Sequence, residues 1–239
     1  MRQIIAMGGG GFSMEPDNPL LDQYILSQVN KPKPKICFIP TASGDADSYT
    51  ARFYEFFQQQ NCEPTHLSLF KPPTRDIEAF VLGQDIIYVG GGNTKNLLVL
   101  WKEWGLDKIL KKAWDIGIIL AGISAGSICW FEQGVTDSYG DDLEPLQCLG
   151  FLMGSNCPHF DGESQRRPVY HSLIKSNKIS GGFAADDGVA LHFFDQELTK
   201  SVSSRPSAKA YQLTRIEGSV AEEVLQTEYL GDLESGTNN

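Results

Sequence analysis

A serine at a strand-to-helix turn, a histidine in a proline-fixed loop and a crowd of carboxylates between them have the makings of acyl-transfer chemistry. The apolar run Ile118-Ile119-Leu120-Ala121 is of strand length and ends in Gly122-Ile123-Ser124-Ala125-Gly126. Glycines two before and two after the serine let the chain turn sharply into a helix, which presents the hydroxyl at the sheet's edge beside the helix's first free N–H groups. A hydroxyl so placed attacks a carbonyl, and the Ala125 N–H receives the charge that develops. The same five letters also make an inert Gly-Ser turn, so the reading needs partners. A serine nucleophile requires a base, and the base an orienting acid. Of the four histidines, His66 and His192 fall in predicted strands and His171 in helix-like sequence. His159 follows Pro158 in a loop, where a fixed backbone can present the ring, and elimination makes it the base. Asp137, Asp141, Asp142 and Glu144 all compete for the acid. The order serine, carboxylate, histidine is the order of sheet-based hydrolases.

The surrounding elements explain how these residues would meet. Gln3 to Met7, Lys35 to Pro40, Thr65 to Phe70, Asp85 to Gly90 and the serine strand are apolar runs alternating with helical patterns. Tyr49, Phe53, Phe56 and Phe57 form one helix face and read as core. Such alternation predicts right-handed βαβ units in an α/β, doubly wound, mostly parallel sheet with helices on both faces. Ligands of such sheets sit beyond the carboxyl ends of the strands, where Gly91-Gly92-Asn93 and Ser124 both fall. Gly8-Gly9-Gly10-Gly11 fails as a dinucleotide fingerprint: Ser13 stands at the third glycine's place, and Pro16 and Pro19 interrupt the helix start. A turn carrying backbone close to the active-site edge is expected there instead, with no cofactor. Thr136 to Gln147 reads as an acidic loop, the stretch Gly154 to Asp161 with His159 follows, and Ile179 to Ala185 and Val189 to Phe194 read as strands around Asp186-Asp187-Gly188. Lys200 to Ile216 is expected to form an antiparallel C-terminal edge, as a hairpin.

Composition narrows the function classes. A net charge of −10, with 30 acidic against 20 basic residues, disfavours nucleic acid and anionic membrane as partners. The five cysteines are scattered without a Cys-x-x-Cys pair, so neither a metal site nor a disulfide framework is indicated. The apolar start is too short for a signal peptide and no run reaches membrane-spanning length, so a cytoplasmic location is expected. The 239 residues, 41% hydrophobic, suit one α/β domain over 1–230 with a frayed tail over 231–239.

Gly91-Gly92-Asn93-Thr94, Gly122-Ile123-Ser124-Ala125-Gly126 and Asn156-Cys157-Pro158-His159-Phe160, in this order and spacing, resemble the peptidase E family. This S51 group of serine peptidases includes α-aspartyl dipeptidases and, more distantly, cyanophycinases. The resemblance runs roughly from Ile36 to Phe193. It implies a sheet like that of class I glutamine amidotransferases and flavodoxin, and hydrolysis of small peptides, dipeptides with N-terminal aspartate among them. No metal or cofactor is implied, and a monomer or homodimer is expected. Ser124 matches the nucleophile, His159 the base, and Asp137 in Val135-Thr136-Asp137 the third member. Gly92 matches the second oxyanion donor beside Ala125, and its neighbour Asn93 the substrate loop. Arg166 or Arg167 would bind the substrate's acidic side chain, and Asp187 would lie near its amino end. The chain departs from the pattern at Ile123, where the dipeptidases tend to carry tryptophan, and at Val135-Thr136-Asp137, where they carry Thr-Asn-Asp. The segment between His159 and the arginines is also shortened. Two alternatives follow: a cyanophycinase-like or other acyl hydrolase, and a catalytically silent small-ligand binder.

Overall fold

The computed structural model describes residues 1–140 and 142–231; Asp141, one of the candidate acids, and the tail beyond 231 lie outside the described residues. The first half of the chain alternates as expected. It runs through β1 (Gln3–Met7), α1 (Gly11–Met14), α2 (Leu20–Ser27), β2 (Lys35–Ile39), α3 (Asp47–Phe57) and β3 (Glu63–His66). Next come α4 (Ile77–Leu82), β4 (Ile86–Val89), α5 (Thr94–Trp104), α6 (Leu106–Asp115), β5 (Ile119–Ile123) and α7 (Ala125–Ile128). The second half is richer in strands: β6 (Phe131–Thr136), β7 (Glu144–Gln147), β8 (Leu152–Cys157), then α8 (Arg166–Lys175) and β9 (Gly182–Ala185). It closes with β10 (Val189–Phe194), β11 (Glu197–Ser203), β12 (Ala210–Ile216), β13 (Ser219–Leu225) and β14 (Glu228–Tyr229).

Eight strands form the main sheet in the order β14-β11-β10-β1-β5-β4-β2-β3. The five from β1 to β3 pair in parallel, and β10 runs antiparallel to both β1 and β11. The serine strand β5 therefore lies between β1 and β4 in the middle of the sheet. Side chains alternate faces along each strand. Ile5, Met7, Phe38, Tyr88 and Ala121 pack under α1, α2 and α3, where Tyr49, Phe53, Phe56 and Phe57 are buried. Ile4, Ala6, Ile39, Val89 and Leu120 face a second cluster shared with α5, α6 and the aromatic pair Trp101 and Trp130.

That second cluster also contains Phe131, Leu152, Ala185 and Ala210, the inner face of a second sheet in the order β13-β12-β9-β8-β6-β7. Its centre, β6-β8-β9, is parallel, and both edges are antiparallel. The helix α8 covers its outer face through Tyr170, Leu173 and Ile174. Of Thr136 to Gln147, expected as a loop, Thr136 ends β6 and Glu144–Gln147 form β7; of Gly154 to Asp161, the first four residues belong to β8, and His159 lies beyond it in a loop as expected. Glu132-Gln133-Gly134 and Gly154-Ser155-Asn156 carry no apolar alternation, so nothing local announces a strand. Lys200 to Ile216 does not form a hairpin either. The chain leaves the main sheet after β11 and enters the second sheet at β12, whose hairpin partner is β13.

Candidate active site

Ser124 sits at the carboxyl end of β5 as the residue before α7, with φ 56° and ψ −114°. This conformation is strained for a residue with a Cβ, as a nucleophile elbow requires. The glycines cannot be replaced cheaply. A Cβ at Gly122 would stand 2.1 Å from the Gly126 carbonyl oxygen, and one at Gly126 would stand 2.2 Å from that of Val89. From Ile118 to Phe131 every residue is buried except Ser124, whose side chain is half-exposed. A Cβ added to Gly91 would meet Ser124 Cβ at 3.3 Å, so the loop after β4 borders the hydroxyl. Among the described residues, neither the Ala125 N–H nor the Gly92 N–H donates to a protein acceptor. Gly92, at φ 136°, occupies backbone space that favours glycine.

His159 lies just past β8 at φ 53°, slightly exposed between the buried residues Pro158 and Phe160. The backbones of the serine and the histidine hang on consecutive carbonyls of one chain end. Ser124 N donates to Met7 O at 3.2 Å and His159 N to Gly8 O at 3.3 Å. The expected close approach of the glycine cluster is thus at the active-site edge. Ser124 Oγ makes no protein hydrogen bond among the described residues; such contacts are often loose without substrate.

The carboxylate that bonds the histidine is Asp187, where Asp137 was expected. Nδ1 of His159 lies 2.6 Å from Oδ1 of Asp187, both side chains being nearly buried. This contact leaves Nε2 as the ring nitrogen without a protein partner among the described residues. Asp187 is carried by the β9–β10 turn, whose backbone pairs with Gly9, and Gly188 N donates to Gly9 O at 3.0 Å. A Cβ at Gly9 would stand 2.0 Å from Asp187 Oδ1 and 3.0 Å from His159 Nδ1, so only glycine leaves room for the pair. The bond to His159, and then the charge of Arg205 and Arg166, hold the Asp187 carboxyl below the usual range. Its N–H donates to Asp161 Oδ1 at 2.8 Å. The adjacent Asp186 goes the other way: burial pushes it up to about 6, despite bonds from Lys209 N and the Tyr211 hydroxyl.

Asp137 is exposed at the end of β6, where the chain bends toward the amino end of α5. Asn93 Nδ2 donates to Ser138 O at 3.0 Å and Lys95 N to Ser138 Oγ at 3.2 Å. This ties the acidic loop to the β4 side of the serine, whereas His159 stands on the β1 side. Asp142 and Glu144 are likewise exposed and do not bond the histidine. Asn93, expected at the substrate, is committed to structure: its Oδ1 accepts from Asn96 N as the cap of α5. Arg166 is 3% exposed, donating from Nε to Glu163 and from Nη1 to Val135 O. Arg167 pairs with Glu222 and lies 5.2 Å from the centres of the Phe160 and Tyr211 rings, on the outer face of the second sheet. The other histidines have partners of their own: His66 with Tyr54, His171 with Glu222, and His192 with Tyr24 and Gln3. His66 lies in a strand as expected, as the last residue of β3. Among the described residues no three histidine, cysteine, aspartate or glutamate side chains cluster as metal ligands.

Known proteins similar to this chain are peptidases. The model of peptidase family S51 matches residues 4–201. The uncharacterized peptidase YgaJ of Bacillus subtilis (strain 168) is 62% identical over 231 residues, covering 97% of this chain and 100% of that protein. A crystal structure of a peptidase from an acI-B1 Actinobacterium superposes with TM-score 0.66 at 19% identity, covering 95% of both chains. A candidate peptidase E from Listeria monocytogenes EGD-e gives TM-score 0.58 at 16% identity, over 95% of this chain and 100% of that one. At these identities the two structures match in fold.

Proposed function

Because the chain belongs to peptidase family S51 and is a serine peptidase, we propose that it hydrolyses small peptides, dipeptides with N-terminal aspartate among them, through Ser124, His159 and Asp187. The observation that carries this reading is the shared chain end: serine and histidine hang on Met7 and Gly8, and Gly9 makes room for the histidine's aspartate. In the proposed reaction, Nε2 of His159 takes the proton as Ser124 Oγ attacks the carbonyl of the N-terminal residue. The oxyanion rests on the N–H groups of Ala125 and Gly92, which face no protein acceptor. The imidazolium, steadied by ionised Asp187, protonates the leaving amine, and water releases the acyl group by the reverse route. Arg166 is the better candidate to read a substrate carboxylate. Its Nη1 ends on Val135 O near the carboxyl end of β6, whereas Arg167 is paired with Glu222 on the far face.

A second reading of specificity rests on a particular observation: both arginines already have protein partners. On that reading the acyl residue is not acidic, and the same machinery serves another peptide or acyl class. Hydrolysis of paired Asp-Xaa and Ala-Xaa dipeptides, followed by amine release, separates the two. The first reading expects Asp-Xaa cleavage, lost in Ser124→Ala, with the preference for aspartate lost in Arg166→Ala. Cleavage of Ala-Xaa alone transfers the assignment to the second reading. Turnover that survives Ser124→Ala overturns the serine mechanism.

A further inference from the structure

Tyr49 lies in the aromatic face of α3, and its ring is packed as that pattern demands, 5.0 Å from the Phe38 ring and 5.7 Å from that of Phe12. A phenylalanine would fill the same space. The hydroxyl is what the packing does not explain. It lies in a residue only 6% exposed, accepts from Gly91 N at 3.3 Å and donates to Ser13 Oγ at 2.9 Å. Ser13 belongs to α1, which follows the glycine cluster at the end of β1, and Gly91 follows β4. These are the two strands that flank the serine strand β5. The relay Gly91–Tyr49–Ser13 therefore straddles Ser124, tying together the chain segments that continue from both neighbouring strands.

Gly91 and Gly92 are successive residues beside Ser124, and each brings an N–H that could point at a developing oxyanion. The Gly91 N–H is taken by the Tyr49 hydroxyl, while the Gly92 N–H has no protein acceptor among the described residues. We propose that Tyr49 is a positioning residue for the reaction: its hydroxyl fixes the Gly90–Gly91 peptide, and through it the course of the chain into Gly92, so that the Gly92 N–H faces the oxyanion. This rests on the serine-peptidase mechanism above and adds to it the group that selects and holds the second donor. Tyr49 touches neither substrate nor reacting atoms. Its effect is confined to charge that appears after attack, so it falls on kcat and leaves KM nearly unchanged.

Diisopropyl fluorophosphate tests this without knowledge of the best peptide, because its phosphoryl oxygen occupies the oxyanion site as the serine is modified. The second-order labelling rate is measured for the wild type, Tyr49→Phe, Ser13→Ala and Ser124→Ala, with thermal midpoints recorded in parallel. Tyr49→Phe is expected to label roughly fivefold to tenfold more slowly, the worth of one hydrogen bond, with little change in midpoint. Ser13→Ala, which removes only the hydroxyl's acceptor, is expected to slow labelling by a smaller factor in the same direction, and it decides the matter should Tyr49→Phe fail to fold. Where the dipeptide is turned over, the same variants lower kcat at constant KM. Equal labelling of wild type and Tyr49→Phe overturns the role of Tyr49 alone. A wild type that takes no label on Ser124 overturns the serine mechanism and the positioning role with it.

Discussion

The two halves of the proposed site are built by different means. The nucleophile side is local: strand, elbow and helix run without a break from Ile119 to Ile128, and the glycines that shape the turn lie within two residues of Ser124. The base side is assembled from three distant stretches. Gly8 and Gly9 close β1, His159 leaves β8, and Asp187 sits between β9 and β10, joined by bonds that span most of the chain. A local device announces itself in a pentapeptide. A long-range one is set by which strands become neighbours, and its clearest trace is glycine where a side chain would collide.

The sharpest way to break this comparison is to exchange the two acids. Asp187→Asn leaves the histidine without its charged partner and is expected to lower kcat roughly 1,000- to 10,000-fold. Asp137→Asn, in an exposed loop leaning toward α5, is expected to change kcat less than about twofold, within the range of surface substitutions. Steady-state kinetics on a cleaved dipeptide decide between them, and a reversal of the two results would return the acid to the β6 loop.

The glycines give the next largest effect. Gly9→Ala forces Asp187 and His159 apart. Activity is expected to fall on the order of 100-fold, the cost of an ångström's misplacement at a reacting group. Gly126→Ala strikes backbone inside the packed elbow, and it is expected to cost about 1–3 kcal/mol of stability together with activity. Urea unfolding beside kinetics separates the two patterns.

The smallest effects are in pH dependence, where the neighbouring aspartates carry opposite signs. The depressed Asp187 contributes stability that is complete above the unfolded carboxyl value near 4 and is lost as pH falls through its lower folded value. Asp186, pushed up to about 6, contributes stability that is full below about 4 and lost as pH rises to 6. Asp187→Asn is therefore expected to lower stability near pH 7 and to narrow its gap to the wild type in acid. Asp186→Asn is expected to raise stability near pH 7 and to lose that gain in acid. Urea midpoints at pH 7 and pH 3 report both.

Much of the main sheet was legible because β1, β2, β4 and β5 are unbroken apolar runs, and because Gly122 and Gly126 bracket Ser124. His159 was reached by elimination, from its place after Pro158 in a loop. Of the second sheet, β9 and β12 fell inside stretches read as strands, but β6 and β8 did not, since they carry Glu132, Gln133, Ser155 and Asn156 rather than an alternating pattern. Asp187 was expected from the resemblance near the substrate's amino end, not on the histidine. Only the pairing of Gly9 with the β9–β10 turn brings it to the histidine, and neither residue's neighbours in sequence encode the contact. Tyr49 was read as core, which its ring is; the signal for its hydroxyl is the choice of tyrosine among phenylalanines in one helix face.

The most direct test of the central claim is mapping the peptide modified by diisopropyl fluorophosphate across four proteins. Ser124 is expected to carry the label in the wild type and in Asp137→Asn, and to label far more slowly in His159→Ala and Asp187→Asn. Rapid labelling of Asp187→Asn together with loss in Asp137→Asn would contradict the assembly described above, as would a label on any other serine.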